Sequence, residues 1–181
     1  MNNSLKNIET FSSTISNIPW FTKIGEKIKD NHKIFISNYI KFFNKNINTY
    51  NVGTWKEAIS LLNSEKWNKG LWEKEEKEKI NLYNFTFNKY PQENLFKKLN
   101  KVTKESSKIL ENCNFKGLNN NDLNYEYYSK VAAGSAALAC YQMALAIAAN
   151  KNDQHIFVSK FELFRLGYWP LIITDNTFNI F

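Results

Sequence analysis

The chain has 181 residues, 43% of them apolar, which is enough to bury a sizeable core without a disulfide or metal staple. Two cysteines, Cys113 and Cys140, are too few for a disulfide scaffold and fit a reducing compartment. The formal net charge is +7, but its lysines are spread along the chain without a run of five or six like charges, which is the pattern of a solvated surface rather than a nucleic-acid-binding arm.

Leu5, Ile8, Phe11 and Ile15 fall at helical spacing and predict a short helix over 4–16, which Ile18-Pro19-Trp20-Phe21 breaks. Over 33–45 the apolar residues Ile34, Phe35, Ile36, Tyr39, Ile40, Phe42 and Phe43 suit a helix or a strand, and a helix is expected. The asparagine-rich stretch 44–53 reads as a loop. Thr54-Trp55-Lys56-Glu57 is a capping box: the Thr54 hydroxyl can accept from the Glu57 amide, and Glu57 can answer the Thr54 amide. That helix runs to about Leu62. Ser64 is expected to cap the next one, which carries Trp67, Leu71, Trp72 and a charged run over 73–79, with Ile80, Tyr83 and Phe87 continuing its apolar stripe.

Pro91 suits the first position of a further helix, where its missing amide has no partner to lose. Leu95, Leu99, Val102, Ile109 and Leu110 point inward from it. Residues 112–121 read as a loop, Asp122 as the cap of a long helix, and Asn150 as its end. Asp153 is expected to cap a last helix bearing Phe157, Phe161 and Phe164, with Gly167 just past its C-terminus. Residues 171–174, the pair Asp175-Asn176, and 177–181 then read as a two-residue β-hairpin.

Between Lys130 and Lys151 no side chain is charged. Such a run must be buried, in lipid or in protein. Its length just suffices to span a bilayer, which takes roughly 20 apolar residues. Its composition suits protein better. Alanine dominates, Gly134, Ser135, Tyr141 and Gln142 interrupt, and few leucine, isoleucine or valine residues are present to favour lipid. Alanine is the best helix former, and a helix apolar on every side belongs in the middle of a bundle. The expected fold is therefore mainly α: a single helical domain over 1–181, built around this alanine-rich helix, closed by a C-terminal hairpin and without a membrane span. Residues 1–16 are polar and lack an apolar h-region, so no signal peptide is expected.

The chemistry of common sites is not written in the chain. His32 and His155 are far apart and lack metal-site spacing, so no metal and no cofactor are expected. There is no glycine-rich phosphate loop and no nucleophile elbow. Cys140 lies in the apolar run and reads as a small core residue. A disulfide to Cys113, or a cysteine nucleophile paired with histidine, remains an alternative. The lone arginine, Arg165, lies three residues after Glu162, which predicts a helix-surface ion pair. Its fork could instead hold the last helix to a neighbouring group.

Two stretches have the composition of a docking surface. Trp67 and Trp72 stand beside Glu73, Glu75, Glu76 and Glu78, which places aromatic anchors next to charge. Residues 125–128, Tyr-Glu-Tyr-Tyr, form a second candidate in which one tyrosine must face inward. Aromatics among lysines could also stack on RNA bases, although no RNA-binding strand motif accompanies them.

Three pieces, Pro19-Trp20-Phe21-Thr22-Lys23-Ile24-Gly25, Thr54-Trp55-Lys56-Glu57-Ala58 and Gly167-Tyr168-Trp169-Pro170, together resemble the small cytoplasmic bacterial immunity proteins of contact-dependent growth inhibition and related polymorphic-toxin systems. The resemblance implies a cytoplasmic, non-catalytic protein that binds and neutralises a cognate toxin, such as a nuclease. The expected partner-binding residues are then Trp67, Trp72, Glu73, Glu75, Glu76 and Glu78, with Arg165, Gly167, Trp169 and Pro170 structural. A nucleic-acid-binding protein is the alternative, and an enzyme with an unrecognised site the third.

Overall fold

A computed structural model describes residues 3–111, 115 and 125–181. Along the described residues run α1 (Asn3–Thr14), α2 (Lys33–Lys41), β1 (Asn48–Asn51), α3 (Trp55–Leu62), α4 (Lys69–Lys89), α5 (Gln92–Leu110), α6 (Tyr125–Ala148), α7 (Ile156–Arg165), β2 (Pro170–Thr174) and β3 (Thr177–Ile180). The fold is mainly α, as the periodicities predict.

The uncharged run forms α6, and α1, α4, α5 and α7 pack around it. Ala132, Ala136, Ala139, Ala144, Ala146 and Ala148 are buried, so the small side chains stand where helices approach most closely. By length and hydropathy Glu126–Ala148 could cross a bilayer; here half of its most apolar window is buried inside the protein. Cys140 is a free buried thiol in this helix. The expected loop at 112–121, Asp122 and Cys113 lie outside the described residues, apart from Phe115.

Several helix ends differ from expectation. The Thr54 hydroxyl accepts from the Glu57 amide at 3.2 Å, but the Glu57 carboxylate takes the Gly53 amide at 2.8 Å, one residue earlier than a capping box requires. Asn68, not Ser64, caps α4: its side chain accepts from the Leu71 amide. His155, not Asp153, caps α7, accepting from the Phe157 amide. Pro91 stands at the N-cap of α5, one position before the helix. Asn150 ends α6 in the left-handed region at φ 56°. The Asn150 amide donates to the Ile147 carbonyl and the Lys151 amide to the Ala146 carbonyl, so two orphan carbonyls are satisfied.

The stripe of α4 also differs. Its buried residues are Leu71, Glu75, Leu82 and Thr86, whereas Ile80 is 53% exposed. The helix turns this stripe, carboxylate included, toward α6 and α5. On α5, Leu95, Leu99, Val102 and Leu110 are buried as expected, and Ile109 is half-buried.

The C-terminal hairpin forms with Asp175 at φ 51° in its turn, and it belongs to a larger sheet. The expected loop at 44–53 contains β1, which pairs parallel with β3, giving the order β1-β3-β2. On the far side of β2, Trp67 bridges to Thr174, and the Asn68 amide donates to the Ile173 carbonyl.

The three aromatic-glycine pieces, distant in sequence, meet at one end of this sheet. Trp169 packs against Phe21 (6.0 Å between ring centroids) and Trp55 (5.7 Å), and Trp55 meets Phe181 edge-on at 5.1 Å. Gly167 ends α7 at φ 95°, with its amide donating to the Phe164 carbonyl and the Tyr168 amide to the Leu163 carbonyl. The Gly167 carbonyl then accepts from the Lys23 amide. A Cβ on Gly167 would lie 2.6 Å from the Thr22 hydroxyl and 3.2 Å from the Pro19 carbonyl oxygen.

Gly167→Ala combines a forbidden φ with a close contact and should lower stability on the order of 1–3 kcal/mol, read by thermal or urea unfolding. Gly134→Ala on α6 makes the opposite case. Its Cβ would meet nothing within 4 Å. It should stabilise by about 0.5–1 kcal/mol through helix propensity alone.

Candidate partner-binding face

The charged run on α4 is divided by the helix into groups with different fates. Glu73 is exposed. Glu76 pairs with Lys79 three residues on. Glu78 accepts from the Nε2 of His155 at 3.1 Å. Glu75, expected on a docking surface, is only 6% exposed and points into the bundle. Its position four residues after Leu71 and seven before Leu82 puts it on the buried stripe, away from the open surface of the helix.

Around Glu75 four helices converge. Tyr39 Oη on α2 donates to Glu75 Oε2 at 2.7 Å. Gln142 Nε2 on α6 donates to Oε1 at 3.1 Å, and Lys160 Nζ on α7 reaches the same oxygen at 2.5 Å. Burial pushes the Glu75 carboxyl up, but the Lys160 charge and the three hydrogen bonds outweigh it and hold the group below the ordinary carboxylate range. Burial and the facing carboxylate push the Tyr39 phenol far up, so it stays a donor. None of Tyr39, Gln142 and Lys160 was marked as a site residue by sequence. The available signal was Gln142 itself, a long polar side chain inside an apolar run.

Above this pair opens a crevice of about 80 Å³, lined by Trp67, Asn68, Trp72, Glu75, Lys160 and the strand residues 170–173. Drug-sized ligand pockets hold several hundred Å³. This one admits the tip of a side chain or a few waters. At its mouth Trp67 and Trp72 meet edge-on, 5.6 Å between centroids, and stay 38% and 46% exposed. Of the six expected partner-binding residues, the structure therefore gathers Trp67, Trp72 and Glu75 at one crevice, with Glu75 as its floor. Glu73 is exposed on the same helix, and Glu76 and Glu78 are engaged within the protein.

The other marked residues have structural places. Arg165 directs its Nε and a terminal nitrogen onto one Glu162 oxygen, the helix-surface pair that its spacing predicts. Trp169 is buried among the aromatics described above, and Pro170 opens β2 opposite Ile180. In the tyrosine cluster, Tyr127 is 60% exposed, while Tyr128 is buried with its hydroxyl accepting from Asn63. The side chain of Tyr125 lies outside the described residues.

Burial pushes the Cys140 thiol up to about 12, so at neutral pH it is not a thiolate nucleophile. Among the described residues no group of three or more His, Cys, Asp or Glu could hold a metal ion. His155 is held by both ring nitrogens: Nδ1 accepts from the Phe157 amide and Nε2 faces Glu78. That pattern requires the neutral ring protonated on Nε2. Burial lowers its pKa, Glu78 partly opposes this, and Lys151 adds to the lowering.

Comparison with protein-family models, with curated proteins and with solved structures returns no match for this chain.

Glu75→Met or Lys160→Met alone leaves a buried charge unpaired and should cost about 3–5 kcal/mol in equilibrium unfolding. The double variant should lose clearly less than the two singles together. The pH dependence has a definite sign. The folded chain keeps His155 neutral below the ordinary histidine value of about 6.5, so the unfolded chain binds the extra proton first and stability falls as pH drops through that value. His155→Asn keeps a capping side chain that does not titrate, and should lessen the loss between about pH 7 and pH 5, leaving the part due to His32, whose pKa burial also lowers.

Proposed function

We propose that this is a non-catalytic protein-binding protein, an immunity protein that neutralises a cognate toxin in the cytoplasm, docking through the face around Trp67 and Trp72. The observation that carries the reading is the tryptophan pair. Two large aromatic side chains stay half open to solvent at the mouth of a crevice, while their backbones are held by the bridge to Thr174 and by the first turn of α4. Rigid exposed tryptophans are the residues that dominate binding energy at interfaces, because they bury much area and lose little entropy. Glu73, exposed and next to Trp72 in sequence, adds a negative charge on the same helix.

With Glu75 internal, recognition rests on the aromatic pair more than on an acidic plug. An overall charge of +7 would repel a basic nuclease cleft at long range. The reading therefore favours a toxin held away from such a cleft, or one whose docking surface is acidic.

The test is titration calorimetry against the product of the adjacent gene. Tight one-to-one binding is expected, and Trp67→Ala with Trp72→Ala should weaken it at least about thirtyfold, the effect of losing a hot spot of 2 kcal/mol or more. No complex, or a complex indifferent to both substitutions, overturns the proposed face. Binding to RNA or DNA that falls steeply with salt would favour the nucleic-acid alternative.

A further inference from the structure

The sheet has a second feature that the tryptophan face does not use. From the outer edge of β1, which no strand covers among the described residues although the Asn51 side chain at its end accepts from the Ile28 amide at 2.9 Å, we infer a docking groove for an extended acidic segment of a partner protein, which adds to the sheet as a fourth strand. This inference stands apart from the toxin reading and from its face.

In the order β1-β3-β2, β1 is an outer strand, and no further strand pairs with it among the described residues. The amides of Asn48 and Val52 donate to the carbonyls of Asn176 and Ile180, on the inner side. Alternation along a strand then turns the N–H and C=O of Thr49 and Asn51 to the outer side. Edge strands are commonly blunted by lysine or proline. The segment Asn48-Thr49-Tyr50-Asn51 contains neither, and no charge.

Beside this edge lies a groove of about 340 Å³ between β1 and α2. Ile28, Ile36 and Ile40 line it, with Thr49 and Asn51 on the strand side. A strand laid along β1 would direct alternate side chains onto these isoleucines. The only charged residues lining the groove are Lys27 and Lys33. Lys33 also meets Asp30, but that pair is 59% and 94% exposed, so it is worth little and readily exchanged. Apolar side chains on one face and carboxylates at the rim therefore define the occupant. A second copy of β1 fits less well, because it would bring the same two lysines against their own counterparts. Backbone pairing supplies affinity and the alternating pockets supply selectivity, as in other strand-addition complexes.

The probe is a blocked nonapeptide alternating valine and glutamate, with a valine–lysine peptide as control. Binding is followed by amide chemical shifts and hydrogen exchange in the full chain. The expected result is saturable binding of the glutamate peptide, slowed exchange at Thr49 and Asn51, and at least about tenfold weaker binding of the lysine peptide. Lys27→Glu with Lys33→Glu, both exposed positions, should weaken the glutamate peptide by at least about tenfold while leaving the thermal melt in place. Thr49→Pro, which removes an outward amide and no bond to β3, should also weaken it. The proposal is overturned by no binding at millimolar peptide, by equal binding of both peptides, by binding that leaves Thr49 and Asn51 exchange unchanged, or by strand-edge protection that appears without peptide as the chain self-associates.

Discussion

Glu75 is a carboxylate set inside an apolar bundle, and what that charge demands organises the helices around it. Removing a carboxylate and an ammonium from water costs several kcal/mol for each. The cost is offset only when every lone pair and proton finds a partner at good geometry. Tyr39, Gln142 and Lys160 supply three donors to the Glu75 carboxylate, each from a different helix, although the Gln142 side-chain oxygen is itself left without a partner. A one-residue slip of α2, α6 or α7 would remove a partner and strand the charge. Apolar surfaces tolerate such slips more easily, so the buried pair acts as a register mark that the alanine-lined interfaces cannot supply themselves.

How far this was legible in sequence depended on the kind of evidence each residue carried. The alanine run, the phenylalanines of α7 and the terminal hairpin were readable because burial of apolar side chains follows period and length. Glu75 was not, although it falls on the same stripe as Leu71 and Leu82. Glu73, Lys74, Glu76 and Lys77 surround it in sequence, and a charged run reads as solvated whichever member turns inward. β1 is not evident from sequence because Asn48 and Asn51 disfavour a strand and outweigh the strand tendency of Thr49 and Tyr50; pairing with β3 makes it one. The caps were misplaced for a related reason. Several residues could cap α4 and α7, and the tertiary partners chose among them. Asn68 also donates to the Asp175 carbonyl, and His155 faces Glu78.

The aromatic-glycine pieces show how a motif can be informative without being a site. Phe21, Trp55, Trp169 and Phe181 interlock, and Gly167 lets the backbone of 19–23 approach within hydrogen-bonding distance. These residues build one end of the frame. The exposed pair is placed differently: Trp67 lies on the short connection that bridges to β2, and Trp72 in the first turn of α4. Exposure of a large apolar residue separates the two roles, and no pattern of residue types reports it.

The parallel pairing of Asn48 with Thr177 joins segments far apart in sequence, and among the described residues β3 is at once the last strand in chain order and the central one. On a ribosome, β1 and β2 would both emerge before the strand that unites them. The early helices can collapse while synthesis continues, but the sheet must wait for residues Thr177–Ile180. Contacts so distant in sequence carry a large loop-closure entropy, and chains that depend on them fold slowly. Deleting Thr177–Ile180 would thus remove the middle of the sheet, where deleting an edge strand would only narrow it.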